Sequence, residues 1–471
     1  MKLSGIKWLA GLALAVAVAG GPLATPATHA QDAAPAAAAA PAAAAAPAAA
    51  PPAAAPAATP APAEKKWAPD TGDTAWMLTS MALVLMMMVP GLGLFYGGMV
   101  RGKNVISVMA QTFAIAGILT VLWMVMGYSL AFTTNPSDGL NKFIGGTGDF
   151  FLAALKPDSH SALAGTIPES VFMCFQMTFA IITPALIIGG FAERMKFSAV
   201  LLFMSLWLVV VYAPIAHWVW GGGFLGGLGV LDFAGGTVVH INAGISGLVC
   251  CLVLGKRKGY GSENMAPNNV IYTSVGAALL WVGWFGFNAG SAVGAGTLAG
   301  TAMMSTQIAT GAALVTWMFI EWFHRKKPTL LGMASGAIAG LVAITPACGF
   351  VNPTGALIIG LVAGCVCYGG AVFLKHMFNY DDSLDVWGVH GIGGIAGALM
   401  TGVLADPSVN SLAEGHSLMK QAIGVSVTLA WAGVCSLVIL MICKFTTGLR
   451  VTEEDELEGL NVASHGEALH P

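Results

Sequence analysis

The chain has 471 residues, and 9 % of them are charged, whereas roughly 25 % are charged in an ordinary soluble domain. The apolar fraction is 56 % and the mean hydropathy is +0.77. So few charges cannot cover the surface of a soluble globule of this size, which argues against a soluble enzyme. The net charge of −3 offers no basic field to nucleic acid. The composition therefore predicts a polytopic membrane protein.

The first residues have the pattern of a secretory signal. Lys2 and Lys7 precede an apolar run over residues 8–19, and small residues occupy positions −3 and −1 of a cleavage site after Ala30. These features predict a signal peptide over residues 1–30. The alternative is a retained first membrane helix, for which the apolar run is short.

Three further segments follow the signal. Residues 31–66 are rich in Ala and Pro, and proline at short intervals blocks a continuous helix, so we expect a semi-rigid tether. Residues 67–449 form the predicted membrane domain. Residues 450–471 form an acidic tail, which on composition alone could be a solvated, disordered end.

Within the membrane domain, apolar stretches long enough to span a bilayer alternate with short polar breaks. We predict an all-α protein with eleven transmembrane helices. The predicted spans are residues 75–99, 104–132, 169–191, 197–219, 236–255, 270–288, 299–323, 330–346, 354–374, 384–404 and 418–447.

The positive charges support this count, because cytoplasmic loops carry the excess of Lys and Arg. With the N-terminus outside and the C-terminus inside, thirteen Lys and Arg fall on the cytoplasmic side and five outside. The cytoplasmic breaks contain Arg101, Lys103, Arg194, Lys196, Lys256, Arg257, Lys258, Arg325, Lys326, Lys327, Lys375, Lys444 and Arg450. The outer side contains Lys65, Lys66, Lys142, Lys156 and Lys420.

A motif recurs in the fifth and tenth spans. Residues 239–247 and 389–397 both read V-H-x-x-x-G-I-x-G, and Asp232 and Asp382 each precede the histidine by eight residues. Five spans separate the copies, so the second copy crosses the membrane in the opposite sense. This predicts a five-plus-five inverted repeat with one additional helix, and a functional site between the halves.

The histidines of this motif, His240 and His390, are ionisable groups within apolar helices. Such groups are costly there and usually face an interior path or each other. Either histidine could instead be a structural residue that bonds a backbone carbonyl. A second functional alternative is ligation of a haem by the two imidazoles.

Aromatic and polar residues cluster at the predicted outer mouth. Trp220 follows the fourth span, and Asp232 precedes the fifth, where it could attract a cation, cap the helix, or do both. Residues 284–291 read WFGFNAGS, and residues 175–179 place two phenylalanines four apart on one helix face. Taken alone, these aromatic residues would be assigned to packing.

Together these stretches resemble the ammonium transporter family, known as Amt/Mep and distantly related to Rh proteins. The resemblance covers about residues 70–470. It is carried by AERMKFSAVLLF, APIAHWVWGGG, LDFAGGTVVHINAG, GKRKG, WFGFNAGS, TLLGMASGAIAGLVAITPACG, DDSLDVWGVHGIGGI and GLRVTEEDELEGLNVASHGE. It implies an eleven-helix inverted repeat assembled as a homotrimer, with one pore per subunit.

The resemblance also assigns roles to individual residues, and Trp220 and Ser291 favour the Amt type over Rh. The implied substrate-binding residues are Trp220, Ser291, Phe175, Phe179 and Asp232, the last organising the outer vestibule. The implied pore gate is a stack of Phe175 and Phe287, with Gln176 beside the path and Trp284 in its wall. His240 and His390 are the implied pore histidines.

The function that follows from the resemblance is ammonium transport in a bacterial inner membrane. NH4+ would be captured at the outer site and deprotonated, and NH3 would cross past the histidines, with or without its proton. The alternative is an ammonium sensor that acts through partners of the PII type, which could also regulate a transporter. The expected binding partners also include membrane lipids. We expect the protein to bind no nucleic acid, no metal and no cofactor. The eight cysteines form no CxxC pair, and the spans offer no nucleophile constellation of an enzyme.

Overall fold

The structure is a computed structural model that describes residues 67–469, so the predicted signal peptide and tether lie outside the described residues. Regular structure in this range is helical, apart from one isolated bridge between Met195 and Arg450. The helices that follow the predicted spans are α1 Thr71–Met99, α2 Gly102–Phe132, α3 Glu169–Gly190, α4 Phe197–Gly227, α5 Gly236–Leu254, α6 Val270–Gly290, α7 Thr297–Arg325, α8 Leu330–Ile344, α9 Pro353–Phe378, α10 Trp387–Leu404 and α11 Leu418–Thr446.

Ten of these helices in the described range are long and apolar enough to cross a membrane, so the chain is a multi-pass membrane protein. The exception is α8, which has 15 residues. At 1.5 Å per residue it is about 22 Å long, shorter than a hydrocarbon core of about 30 Å. The number of crossings therefore stays a prediction, although α8 begins at the predicted residue.

Helices α3 and α5 lie at the centre of the molecule, where 83 % of their apolar windows are buried. Helix α5 begins with a π-helical turn over Gly236–Ile241, and α10 begins with another over Trp387–Gly391. Each turn contains one histidine of the recurring motif. The two copies of the motif thus share a local backbone geometry that an ordinary helical reading would not predict.

Helices α5 and α10 cross at the glycines of the two motifs. The π-helical turn of each helix packs on the following α-helical part of the other. A Cβ at Gly244 would meet the backbone of Gly391, and a Cβ at Gly394 would approach Ile241 Cγ1 and His240 Cβ at 3.0 and 3.1 Å. A glycine four residues after each histidine is therefore what allows the other histidine's helix to approach.

The acidic tail is helical and packs against the membrane domain. Its helices are α12 Glu453–Glu458 and α13 Leu460–His465. The carboxylate of Glu456 accepts from the Lys258 amide at 2.6 Å and pairs with Arg450 at 2.6 Å. The Asn461 side chain accepts from the Ser107 amide at 3.0 Å. The alternative of a disordered end is therefore wrong for this part of the tail.

We predict that Gly244→Ala destabilises the protein, because the added methyl group has no space in the crossing of α5 and α10. Overpacking of a core contact typically costs about 1–3 kcal/mol. Gly311→Ala in α7 is the matched control, since a Cβ there has no neighbour within 4 Å. Thermal unfolding in detergent should show a lower midpoint for Gly244→Ala alone. Equal midpoints would contradict the crossing geometry.

Candidate functional site

A cavity of about 380 Å3 opens between the ends of α3, α4 and α6. Four of the five predicted substrate-binding residues line it: Phe179, Trp220, Asp232 and Ser291. Phe175 is absent from this lining and packs behind it, close to Gly290. Gln176 lines the cavity too, and its buried Oε1 accepts no hydrogen bond from the described residues.

Asp232 caps α5 and thereby shapes this cavity. Its carboxylate accepts four backbone N–H groups at 2.6–3.0 Å, those of residues 235–238. The turn between cap and helix needs Gly235, whose φ is +119°. Burial raises the pKa of Asp232 to about 6, although the four donors oppose that shift. Both oxygens are already used, so the structure favours the capping alternative over direct coordination of a cation.

The same loop also positions an aromatic face. The indole of Trp220 donates from Nε1 to the Asp232 carbonyl oxygen at 2.8 Å. Its ring stands edge-on to Phe179, with centroids 5.9 Å apart. Ser291 lines the cavity, and its hydroxyl donates to the Phe287 carbonyl at 2.8 Å, which leaves the hydroxyl oxygen able to accept. The cavity therefore combines an aromatic face with neutral oxygen acceptors.

Two stacked rings close the inner end of this cavity. Phe179 and Phe287 stack with centroids 4.2 Å apart and an angle of 29°. Phe175 instead meets Phe179 edge-on at 5.0 Å. The prediction that Phe175 stacks on Phe287 is therefore wrong. Residues 175 and 179 share one helix face, so the spacing alone could not indicate which ring meets α6.

Beyond the stacked rings lies a second, narrower cavity that contains both predicted histidines. Its volume is about 10 Å3, close to the minimum that holds one water molecule. His240 and His390 are 1 % and 4 % exposed, and their Nδ1 atoms are 3.2 Å apart. One ring must donate and the other accept, so a neutral pair uses opposite tautomers. The Nε2 of His240 has no partner among the described residues.

The remaining wall of the narrow cavity is apolar. It is formed by Met87, Leu92, Phe95, Ile182, Leu186, Val239, Leu280, Trp284, Phe287 and Ile338. A haem does not fit between imidazoles that contact each other in a cavity of this size, so the structure does not support the haem alternative. A desolvated ion would find no charged group to compensate it in this lining.

Trp284 is held by polar residues that the sequence did not single out. Its ring stacks on His240 with centroids 5.4 Å apart. Its Nε1 donates to the Thr345 hydroxyl at 2.9 Å, and the amide of Asn288 donates to Thr306 at 2.9 Å. Thr345 follows α8, whereas Trp284 is in α6, so only the packing of these helices reveals the contact. The sequence signal for this contact was Trp284 itself, because the N–H group of a buried indole usually has a hydrogen-bond acceptor.

The chain is similar to known proteins along most of its length. The sequence model described as the Ammonium Transporter Family matches residues 75–469. The ammonium transporter of Aquifex aeolicus is 49 % identical over 403 residues, which cover 84 % of this chain and 93 % of the relative. That of Bacillus subtilis is 48 % identical over 403 residues, covering 84 % and 98 %.

Two solved structures with the same fold are a Mep2 protein and a sensor Amt protein. Saccharomyces cerevisiae Mep2 superposes with a TM-score of 0.76 at 36 % identity, over 82 % of this chain and 88 % of that chain. A protein named as a sensor Amt protein superposes with a TM-score of 0.76 at 29 % identity, over 84 % and 98 %.

Proposed function

The chain belongs to the ammonium transporter family, a family of transporters rather than enzymes, and from this premise we propose how it moves its substrate. NH4+ binds in the 380 Å3 outer cavity and gives up one proton at the stacked rings, either to water in that cavity or to the imidazole pair beyond the rings. NH3 then crosses the narrow cavity beside the two imidazoles. Whether the proton follows by a separate route determines if transport carries charge.

The observation that carries this proposal is the contact of His240 with His390 inside an apolar cavity. Neutral imidazoles offer both a donor and an acceptor to a small polar molecule. NH3 carries no charge and can enter an apolar lumen, whereas a permanent cation such as K+ cannot do so cheaply. Selectivity would therefore arise from deprotonation rather than from the fit of the ion.

The outer cavity suits capture of NH4+, which has four N–H donors and no acceptor. The Trp220 face offers a cation–π contact worth about 0.5–2 kcal/mol. The Ser291 hydroxyl offers a neutral acceptor, and the Gln176 side chain lines the same cavity. Asp232 acts in this proposal as a positioning residue. Its own backbone carbonyl accepts the hydrogen bond from the Trp220 indole, and its carboxylate fixes the loop that presents this carbonyl. Phe179 and Phe287 form the gate, and Phe175 supports Phe179.

The wider setting is also part of the proposal. The segregation of Lys and Arg supports an N-terminus outside and a C-terminus in the cytoplasm. The predicted signal peptide and the family resemblance together support a bacterial inner membrane. Eleven crossings, with a short α8, give this orientation. The family resemblance supports a homotrimer and a PII-type partner at the cytoplasmic face.

We predict that His240→Ala combined with His390→Ala either stops ammonium transport or lets potassium through. The variant removes the imidazoles that accept NH3 and leaves a larger cavity that water and ions can enter. Uptake of ammonium and of potassium into proteoliposomes measures both effects. The control is His376→Ala, which changes an exposed histidine at the end of α9. This variant should behave like the wild type. Unchanged, potassium-excluding transport in the double variant would refute the role of the pair.

A second prediction concerns capture. Trp220→Ala combined with Ser291→Ala should weaken uptake at low ammonium and spare the flux at saturation, because both residues act before the gate. Loss of the cation–π contact alone corresponds to about a 2- to 30-fold higher half-saturation concentration. Trp281→Ala with Ser274→Ala removes the same residue types from α6 away from the cavity. Intact uptake at low ammonium would show that the capture site lies elsewhere.

An ammonium sensor is the second candidate, because one structure with the same fold is named as a sensor Amt protein. A sensor would bind ammonium in the outer cavity without net flux through the narrow one. Ammonium-dependent thermal stabilisation without uptake into proteoliposomes would favour the sensor. Flux that saturates over the same concentration range as the stabilisation would favour the transporter.

A further inference from the structure

A buried turn follows the short helix α8 and touches the surroundings of both cavities. Helix α8 ends at Ile344, and the chain continues through Thr345 and Pro346 as an irregular, fully buried turn. We call residues 345–346 the α8 turn. Within a membrane, irregular backbone is tolerated only where it is buried in protein or lines a water-filled cavity. The contacts of the α8 turn show what it supports.

The proline of the α8 turn packs against the approach to α5. Its carbonyl oxygen accepts the Phe233 amide at 3.1 Å, and Phe233 lines the outer cavity. The ring of Pro346 lies where a Cβ on Gly236 would stand, at only 2.5 Å. Gly236 is the first residue of the π-helical turn that contains His240. The α8 turn therefore supports the backbone that leads to one of the pore histidines.

The threonine of the α8 turn holds the indole that stacks on that histidine. Trp284 donates from Nε1 to the Thr345 hydroxyl at 2.9 Å. The hydroxyl donates in turn to the Leu341 carbonyl at 2.7 Å or to Asn288 Oδ1 at 3.3 Å. The Asn288 amide donates to the Thr306 hydroxyl at 2.9 Å. A chain of buried hydrogen bonds thus joins α6, α7 and the α8 turn at Thr345.

This chain of hydrogen bonds lies behind the wall of the narrow cavity. Trp284 lines that cavity, whereas Thr345, Asn288 and Thr306 line neither of the two cavities. All three of these polar residues are 0 % exposed. They therefore do not touch a substrate in either cavity, and an influence on the pore has to pass through the Trp284 ring.

The sequence contains a second copy of the same fragment that lacks this role. I-T-P-A occurs at residues 182–185 and again at residues 344–347. The Thr183 hydroxyl donates to the Phe179 carbonyl one helical turn earlier at 2.7 Å, as the Thr345 hydroxyl does to Leu341. Of the two threonines, Thr345 alone also accepts an indole N–H within the described residues. The bond to Trp284 is therefore a feature of this position and not of the fragment.

We propose that Thr345 is a positioning residue for the selectivity of the narrow cavity, an inference that rests on the proposed transport function. Its hydroxyl fixes the plane of the Trp284 ring against His240, with centroids 5.4 Å apart. Without this acceptor the buried N–H group would be left unsatisfied, which is costly. The indole would turn towards another acceptor or towards water, and the narrow cavity would open to hydrated ions.

The test compares the initial rates of ammonium and potassium uptake into proteoliposomes. Valine has the shape of threonine without the acceptor, so in Thr345→Val the ratio of ammonium to potassium uptake should fall at least about tenfold, the effect of one unsatisfied buried N–H group. Thr345→Ser keeps the hydroxyl and should keep the wild-type ratio. The control Thr310→Val removes a buried hydroxyl of α7 that bonds the Thr306 carbonyl, and it should also keep that ratio.

A double-mutant cycle with Trp284→Phe separates positioning from a general structural role. Phenylalanine has no N–H group, so Trp284→Phe alone should lower the ratio, and adding Thr345→Val should lower it no further. If Thr345→Val does not fold, Trp284→Phe alone still tests whether the anchored N–H group is needed, and an unchanged ratio in that variant would overturn the inference.

Three further results would overturn it. These are a wild-type ratio in Thr345→Val, a loss of the ratio in Thr345→Ser as large as in Thr345→Val, and effects of Thr345→Val and Trp284→Phe that multiply in the double variant. Absence of ammonium uptake by the wild type is a distinct result, because it would refute the proposed function and this inference together.

Discussion

The direct contact of two imidazoles inside an apolar interior is the constraint on which the rest of this structure depends. Two imidazoles whose Nδ1 atoms lie 3.2 Å apart can form a hydrogen bond only if one Nδ1 donates and the other accepts. Burial in an apolar interior favours the neutral form of both rings. Their helices must also approach within backbone contact, which the glycines at positions 244 and 394 permit. Each motif therefore contains a histidine and, four residues later, a glycine that makes room for the helix of the other histidine.

In the proposed mechanism, the outer cavity and the inner cavity each contribute a separate step of recognition. The outer cavity has an aromatic face and neutral oxygens, which suit a cation but do not separate NH4+ from K+. The narrow cavity has an apolar wall and a volume of about 10 Å3, which suits a small neutral molecule. The stacked Phe179 and Phe287 rings stand between them. In the proposed mechanism, selection by size and charge state would follow from the order of the two environments along one path.

Much of this arrangement could be predicted from the sequence, because hydropathy and motif spacing are local signals. Most helix starts and the two histidines follow from such patterns, and capping by Asp232 was one of the two roles that its position indicated. What could not be predicted depends on how separate helices meet. Two contacts join residues that are far apart in the chain. One is the stacking of Phe287 on Phe179 rather than on Phe175, and the other is the hydrogen bond from Trp284 to Thr345. The predicted end of α8 at residue 346 is two residues too late, because the apolar sequence continues past Ile344, where the helix ends.

The most direct test of the central claim records current and luminal pH together, while proteoliposomes containing the purified protein receive a pulse of ammonium or of potassium. The account predicts a response to ammonium and none to potassium. An ammonium current would indicate that the proton also crosses, and a pH change without current would indicate passage of NH3 alone. A potassium current as large as the ammonium response would contradict selection by deprotonation.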